Sequence, residues 1–275
     1  MAIQTSHVGS LPRSQKVVDY IFAREKGEDY NEIEFDKVMT EAVNDTVRKQ
    51  KKAGITIVSD GETSKISYAT YVKDRYHGFA GDSPRNAPAD LKKFPNYLQK
   101  LANDGGTPKY ARPMCVSKLE PKKNDDLIKD IDNLKKALKG NDIKKGFMNA
   151  ASPGVISLFL QNDYYPSRED YLEALSSLMQ FEYEMIVKSG LDLQIDCPDL
   201  ALSRHMLFND MTDDEFVKVA SINIESLNNA LRNIPKDKIR IHICWGNYEG
   251  PHVCDISISK MFETLICLLY TSPSP

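Results

Sequence analysis

Short β-branched segments alternate with amphipathic helical patterns along most of this chain, and that alternation limits the folds open to it. Strand, helix and strand in succession are typical of a parallel sheet with helical crossovers. The pattern therefore predicts an α/β fold, either an open doubly wound sheet or a closed (β/α)8 barrel. The predicted strands cover residues 3–9, 55–60, 112–120, 146–152, 191–196 and 239–244.

Capping residues mark where three long helices begin. In each case a side chain that can accept a hydrogen bond stands three residues before an acidic residue, the spacing of a capping box. The three pairs are Asn31 with Glu34, Ser167 with Asp170, and Thr212 with Glu215. A shorter helix is predicted over residues 16–24. Residues 79–110 are rich in Gly, Pro, Asn and Asp, which predicts a long loop or lid.

Polar residues collect at the C-terminal ends of several predicted strands, and this favours the barrel. They lie at residues 7–10 and 60–62, at Asp196, and at His242 with Cys244. Catalytic groups supplied by many strand ends are typical of the (β/α)8 TIM barrel. No glycine fingerprint for a dinucleotide follows the first strand. Because only six strands are recognisable, we expect a barrel that lacks its last two strands in this chain.

Composition excludes several classes of protein. The 275 residues carry a net charge of −3, which gives no reason to expect nucleic acid as a partner. No apolar run is long enough to span a membrane, and the first residues lack the apolar core of a signal peptide. The five cysteines are irregularly spaced and do not suggest a disulfide framework. We therefore expect a cytoplasmic protein with free thiols.

The strand segment that ends in "IHIC" carries the clearest chemical signal. His242 and Cys244 are two residues apart, so in a strand their side chains point to the same face. Imidazole and thiolate are common zinc ligands, but an isolated pair on a strand is a weak signal and is more often a pair of ordinary interior residues. Glu62 could likewise be a solvent-facing turn residue, and Asp196 could simply end a strand. We interpret Cys115 as a core residue.

The C-terminal segment departs from the pattern. A helix begins near residue 255, but its period is lost at "CLLYTSPSP", residues 267–275. These residues can be encoded by DNA that resembles a transposase adapter used to build sequencing libraries. A frayed polar tail is the simpler alternative. We expect the barrel domain to cover residues 1–266, the tail to be non-native, and the chain as it stands to be inactive.

Four motifs carry a resemblance to a known family. They are "SHVGSLPR" (6–13), "GITIVSDGE" (54–62), "LDLQIDCPDLAL" (191–202) and "IRIHICWGN" (239–247). In order and spacing they resemble the catalytic barrel of cobalamin-independent methionine synthase, in a short single-domain form. The resemblance spans most of residues 1–266. It implies a methyltransferase that moves a methyl group to the zinc-bound thiol of homocysteine and produces methionine.

The resemblance also implies roles for individual residues. His242 and Cys244 would be two zinc ligands, and the remaining ligands and the proton donor would lie beyond residue 266. The amino-acid end of homocysteine would be held by Val8, Gly9, Ser10, Glu62 and Asp196. The methyl donor would be a methyl-folate or a methyl-corrinoid protein. Two departures bear on that donor: Cys197–Pro198 replaces an acid–proline pair, and Phe159 is the nearest aromatic residue to an expected tryptophan.

Two alternative functions remain open from the sequence. A related zinc alkyltransferase could act on another thiol such as coenzyme M, although Glu62 and Asp196 suit an ammonium group better than a sulfonate. A metal-free binding barrel is the non-enzymatic alternative. His252 is a candidate pocket residue, whereas Cys254 lies in a loop and is not expected to bind metal.

Overall fold

The computed structural model describes residues 3–84, 87–103, 110–123, 125–246 and 250–267. Six strands are present in these ranges. They are β1 (Val58–Ser59), β2 (Tyr76–Ala80), β3 (Met114–Pro121), β4 (Gly146–Ala151), β5 (Asp192–Asp196) and β6 (Ile239–His242). None of the helices in the described ranges has the length and hydropathy needed to cross a bilayer.

Four of these strands form a parallel sheet in the order β1-β4-β5-β6. Every residue of β4 is buried, and all of β5 except Asp192 is buried as well. Burial on both faces is expected for a parallel sheet covered by crossover helices. The predicted α/β fold with a parallel sheet is therefore confirmed.

Eleven α-helices lie in the described ranges. They are α1 (Gln15–Lys26), α2 (Glu32–Lys52), α3 (Val72–Arg75), α4 (Ala89–Lys93), α5 (Pro95–Asn103), α6 (Asp126–Gly140), α7 (Pro153–Phe159), α8 (Arg168–Lys188), α9 (Ser203–Met206), α10 (Asp213–Leu231) and α11 (Ile258–Ile266). Single 3₁₀ turns occur at Pro198–Leu200 and Lys236–Lys238.

The predicted helix starts are confirmed by their caps. Asn31 accepts a hydrogen bond from the backbone N–H of Glu34, and Ser167 does the same for Asp170. Thr212 forms a complete capping box with Glu215. Such caps satisfy backbone donors that the first helical turn leaves unpaired.

The main core lies where the long helices cover the sheet. Buried side chains of α8 and α10 pack together with those of β4 and β5; they include Met148, Leu175, Met179, Leu193, Phe216 and Leu227. Burying one large apolar side chain contributes roughly 1.5–3 kcal/mol. This core holds the C-terminal ends of β4, β5 and β6 in fixed positions.

Three segments differ from the sequence prediction. Residues 3–9 form no strand, because their hydrogen bonds to the segment 54–57 all involve Thr5. The segment predicted as a third sheet strand forms β3, which pairs antiparallel with β2 outside the parallel sheet. The predicted loop over 79–110 contains the end of β2 and the helices α4 and α5.

Candidate functional site

The register of β5 against β6 sets the first contact of the candidate site. Asp196 is the direct register partner of His242, so both side chains leave the sheet on the same face. Nδ1 of His242 lies 3.0 Å from Oδ1 of Asp196, a hydrogen bond that the carboxylate accepts. Asp196 is buried, whereas His242 remains one-third exposed at 33%. Asp196 therefore orients the imidazole ring from its buried side, and the opposite side of the ring is accessible to solvent.

Cys244 extends this contact toward the sheet edge. Its thiol accepts a hydrogen bond from the backbone N–H of Gly246 at 3.2 Å and lies near enough to His242 for each group to shift the pKa of the other. The hydrogen bond to Asp196, followed by that to Cys244, raises the pKa of His242 to about 9. The same His242 contact lowers the pKa of Cys244. Thiol and imidazole are thus within reach of one common ion or substrate atom.

Two amides that sequence reasoning missed hold Asp196 in place. Nε2 of Gln194 donates to Oδ1 of Asp196 at 3.0 Å, and Nδ2 of Asn149 donates to Oδ2 at 3.0 Å. Both amides also donate to the carbonyl of Val8, at 2.7 and 2.9 Å. They therefore fasten the N-terminal segment to the strand ends. The alternation of Gln194 with Asp196 on one strand face was the signal that could have identified the first of them.

Glu62 reaches the same region from the turn after β1. Its Oε2 accepts a hydrogen bond from the hydroxyl of Ser10 at 2.7 Å, and Gly9 lies beside its Oε1. Only 2% of Glu62 is exposed, which excludes the solvent-facing alternative. Burial raises the pKa of Glu62, and the nearby charge of Asp196 adds to this. The two carboxylates are close enough to influence each other.

The backbone of this turn is unusual. Glu62 has a φ of 55°, a left-handed conformation that non-glycine residues seldom adopt, and Gly61 before it has a φ of 65°. Arg13 secures the turn by donating from Nη2 to the carbonyl oxygens of Glu62 and Lys65, at 2.7 and 2.8 Å. Strained backbone held by surrounding bonds often marks functional residues.

The structure thus brings together the residues singled out in the sequence. One connected group lies at the C-terminal edge of the sheet; it consists of segment 8–10, Glu62, Asp196, His242 and Cys244. The side chain of Val8 is exposed, so only its carbonyl takes part. Phe159 lies at this side of the sheet, with its ring 5.8 Å from that of Tyr68. Burial raises the pKa of Tyr68, and the nearby Cys244 and Asp196 are among the groups that add to this.

Two of the remaining cysteines, Cys115 and Cys197, are buried. Cys115 is fully buried in the main core, as predicted. Cys197, which stands where an acid was expected, is also fully buried, and burial raises its pKa well above the ordinary value. Neither thiol is accessible for chemistry.

The predicted tail falls on residues 267–275, of which 268–275 lie outside the described residues.

The chemistry of the donor pair fits a zinc ion in part. A metal-binding histidine commonly donates its second ring nitrogen to a carboxylate, the arrangement of His242 with Asp196. Cys244 adds a thiol with a lowered pKa. Within the described ranges, however, a group of three metal-ligating side chains occurs elsewhere, at Asp90, His205 and Asp255. The pair therefore supplies two of the ligands that zinc needs.

No protein-family model matches the sequence, but curated proteins and solved structures do. The chain is 24% identical over 262 residues to methionine synthase of Saccharolobus solfataricus, covering 94% of this chain and 68% of that protein. It is 27% identical over 262 residues to methionine synthase of Thermococcus kodakarensis, covering 94% and 67%. The chain thus spans about two thirds of the length of these relatives.

Two solved structures share the fold. A B12-independent methionine synthase from Shewanella sp. W3-18-1, in complex with selenomethionine, matches with a TM-score of 0.61 and 21% identity, covering 88% of this chain and 61% of that one. A Listeria monocytogenes protein described as a candidate vitamin-B12-independent methionine synthase gives a TM-score of 0.60 and 18% identity, covering 90% and 68%. The chain is therefore a homologue of archaeal methionine synthases, which are methyltransferases, and its fold resembles that of the B12-independent methionine synthases.

Proposed function

We propose that this chain is the main part of a zinc-dependent methyltransferase that moves a methyl group to the thiol of homocysteine and forms methionine. The observation that carries the proposal is the hydrogen bond between Asp196 and His242, with Cys244 two residues along the chain and the buried carboxylate of Glu62 nearby. The similarity to archaeal methionine synthases supports the same reaction. We further propose that residues 1–266 form most of a (β/α)8 barrel and that the protein is cytoplasmic.

His242 and Cys244 would hold the zinc ion. When bound, zinc supplies a positive charge that keeps an incoming thiol ionised at neutral pH. Asp196 fixes the imidazole ring through Nδ1 and so directs Nε2 outward. The backbone N–H of Gly246 holds the sulfur of Cys244. These contacts set the direction from which a thiol would approach.

The amino-acid end of homocysteine would lie between Glu62 and Asp196. Burial, with the charge of Asp196 nearby, makes the ionised form of Glu62 less favourable and raises its pKa, and an ammonium group placed there would offset the cost. Ser10 would keep Glu62 turned toward the substrate through their hydrogen bond. Backbone groups of Val8 and Gly9 would complete this end of the pocket. A thiol without an amino group would gain nothing from the carboxylates.

The methyl donor would be a methyl-folate or a methyl-corrinoid protein that approaches from the side of Phe159. Arg112 lies 5.0 Å from the Phe159 ring centre, and Tyr68 packs on it edge to face. An aromatic surface suits the flat ring of a pterin, and a cation beside it suits the anionic glutamate tail of a folate.

Cobalt(II), a spectroscopic substitute for zinc, provides the test. The unmodified protein should show a thiolate-to-cobalt charge-transfer band that Cys244→Ser abolishes. Cys267→Ser removes an exposed thiol instead and serves as the matched control, because it should leave the band intact. A band that survives Cys244→Ser would remove the proposed ligand pair.

A thiol panel in the presence of the metal separates the substrates. Homocysteine should bind at least 10-fold more tightly than coenzyme M, and Glu62→Gln should reduce that preference, because a charge-assisted hydrogen bond contributes roughly 1.5–3 kcal/mol. Equal binding of both thiols to the unmodified protein would contradict homocysteine as the acceptor.

A further inference from the structure

A second group of metal-ligating side chains lies outside the site described above. It consists of Asp90 from α4, His205 from α9 and Asp255 from the segment before α11. One ligand atom from each lies within 4.8 Å of the other two. Asp90 and His205 are almost fully buried, and 23% of the Asp255 side chain is exposed. Three segments distant in sequence thus converge on one buried point.

Hydrogen bonds from neighbouring groups orient these side chains, as they do for the ligands of known metal sites. Oδ1 of Asp90 accepts hydrogen bonds from the backbone N–H groups of Val253 and Cys254, both at 2.7 Å, and its Oδ2 faces His205 at 2.8 Å. Oδ2 of Asp255 contacts Nδ1 of His252 at 3.0 Å, and its Oδ1 faces His205 at 3.2 Å. Asp90 thus has one oxygen fixed from outside and one turned toward His205, whereas Oδ1 of Asp255 lies between His205 at 3.2 Å and His252 at 3.3 Å.

We propose that Asp90, His205 and Asp255 bind a divalent first-row transition ion of the zinc class. One imidazole and two carboxylates match the nitrogen and oxygen preferences of such ions. The inward-facing atoms are separated by distances close to those between neighbouring ligands of a single ion. The hydrogen bonds that fix the outer oxygens supply the orientation that metal ligands commonly require.

The position of this second site gives the ion a role in holding Cys244. The backbone N–H of Leu202, three residues before His205, donates to the carbonyl of Cys244 at 3.2 Å. Nε1 of Trp245, the residue after Cys244, donates to the carbonyl of Ile256 at 2.7 Å. An ion that ties the His205 and Asp255 segments together would therefore fix the backbone on both sides of Cys244. It would also fasten α4 to the segment that follows β6.

Cobalt titration of the full chain distinguishes this site from the His242–Cys244 pair. The Cys244→Ser protein should still bind one cobalt ion, with weak ligand-field bands and no thiolate charge transfer. Adding Asp255→Asn should weaken that binding at least 10-fold, because an amide oxygen carries no charge to offset the ion. Asp214→Asn, at a carboxylate 87% exposed, is the matched control and should leave binding unchanged.

A second measurement remains informative if Asp255→Asn folds poorly. Zinc added to the Cys244→Ser protein should slow hydrogen exchange of the Val253 and Cys254 amides. The proposal is overturned if the Cys244→Ser protein binds no cobalt, if Asp255→Asn binds it as well as its parent, or if zinc leaves these amides unaffected. None of these outcomes bears on the thiolate band, so the two sites are tested separately.

Discussion

The two ligand groups of this protein are built in different ways. His242 and Cys244 come from one strand end, and a carboxylate on the neighbouring strand supports them. Asp90, His205 and Asp255 come from two short helices and a connecting segment, and backbone amides support them. Strand geometry makes the first group visible as a two-residue spacing. The second group has no such spacing, since chain folding alone brings its members together. Sequence spacing therefore finds ligands only where one regular element carries at least two of them.

The largest effect that separates the two groups is expected on stability. Asp90→Ala should reduce the free energy of unfolding by about 3 kcal/mol, because two backbone donors and His205 lose a buried acceptor. Asp214→Ala, at an exposed carboxylate, should stay within about 0.5 kcal/mol of the unmodified protein. Urea denaturation of the metal-free proteins measures both. If both variants lowered the free energy of unfolding by the same small amount, the Asp90–His205–Asp255 group would not stabilise the fold.

Much of the fold was visible in the sequence where local and tertiary signals agree. The caps at Asn31, Ser167 and Thr212 each begin a helix whose apolar face is buried. The segment at 146–152 is mostly apolar, as a buried parallel strand requires, whereas 191–196 is apolar on one face and carries Asp192, Gln194 and Asp196 on the other. Residues 3–9 have four polar residues in succession at 4–7, and the exposed side chains of Ile3 and Val8 show that this segment has no core to enter.

The partners of elements were harder to predict than the elements. The segment 112–120 has the composition of a strand, but nothing local specifies that it pairs with Tyr76–Ala80 rather than with the parallel sheet. In the same way, the positions of Asn149 and Gln194 become meaningful only when both converge on Asp196 and Val8. Periodicity reports which face of an element is buried. It carries no information about which distant residue lies opposite.

An intermediate effect should appear at the turn that presents Glu62. Gly61→Ala should cost about 2 kcal/mol, because the left-handed conformation is strained for alanine and the added carbon would lie 3.0 Å from Leu11 and Thr46. Gly27→Ala has nearly the same φ but nothing within 4 Å, so it should cost about 1 kcal/mol. Chemical denaturation of both variants isolates the packing contribution. A cost no larger for Gly61→Ala would mean that the turn is not held tightly by its surroundings.

The smallest effect concerns the protonation of His242 in the metal-free protein. Its pKa of about 9 depends first on the hydrogen bond to Asp196, so Asp196→Asn should lower that pKa toward the ordinary value of 6.5. Cys244→Ser should lower it less, because the Cys244 hydrogen bond is the second cause. Imidazole proton resonances followed by NMR between pH 5 and 10 report both values.

The same hydrogen bond gives stability a defined pH dependence. A raised pKa in the folded state means that the folded protein holds its proton more tightly than the unfolded chain does. The advantage of the unmodified protein over Asp196→Asn should therefore be full below about pH 6.5 and should disappear as the pH rises through about 9. Because His242 is one-third exposed, solvent screening keeps this contribution small. An advantage that grew with pH would contradict the proposed Asp196–His242 pairing and would leave the Asp90–His205–Asp255 group as the better ordered of the two.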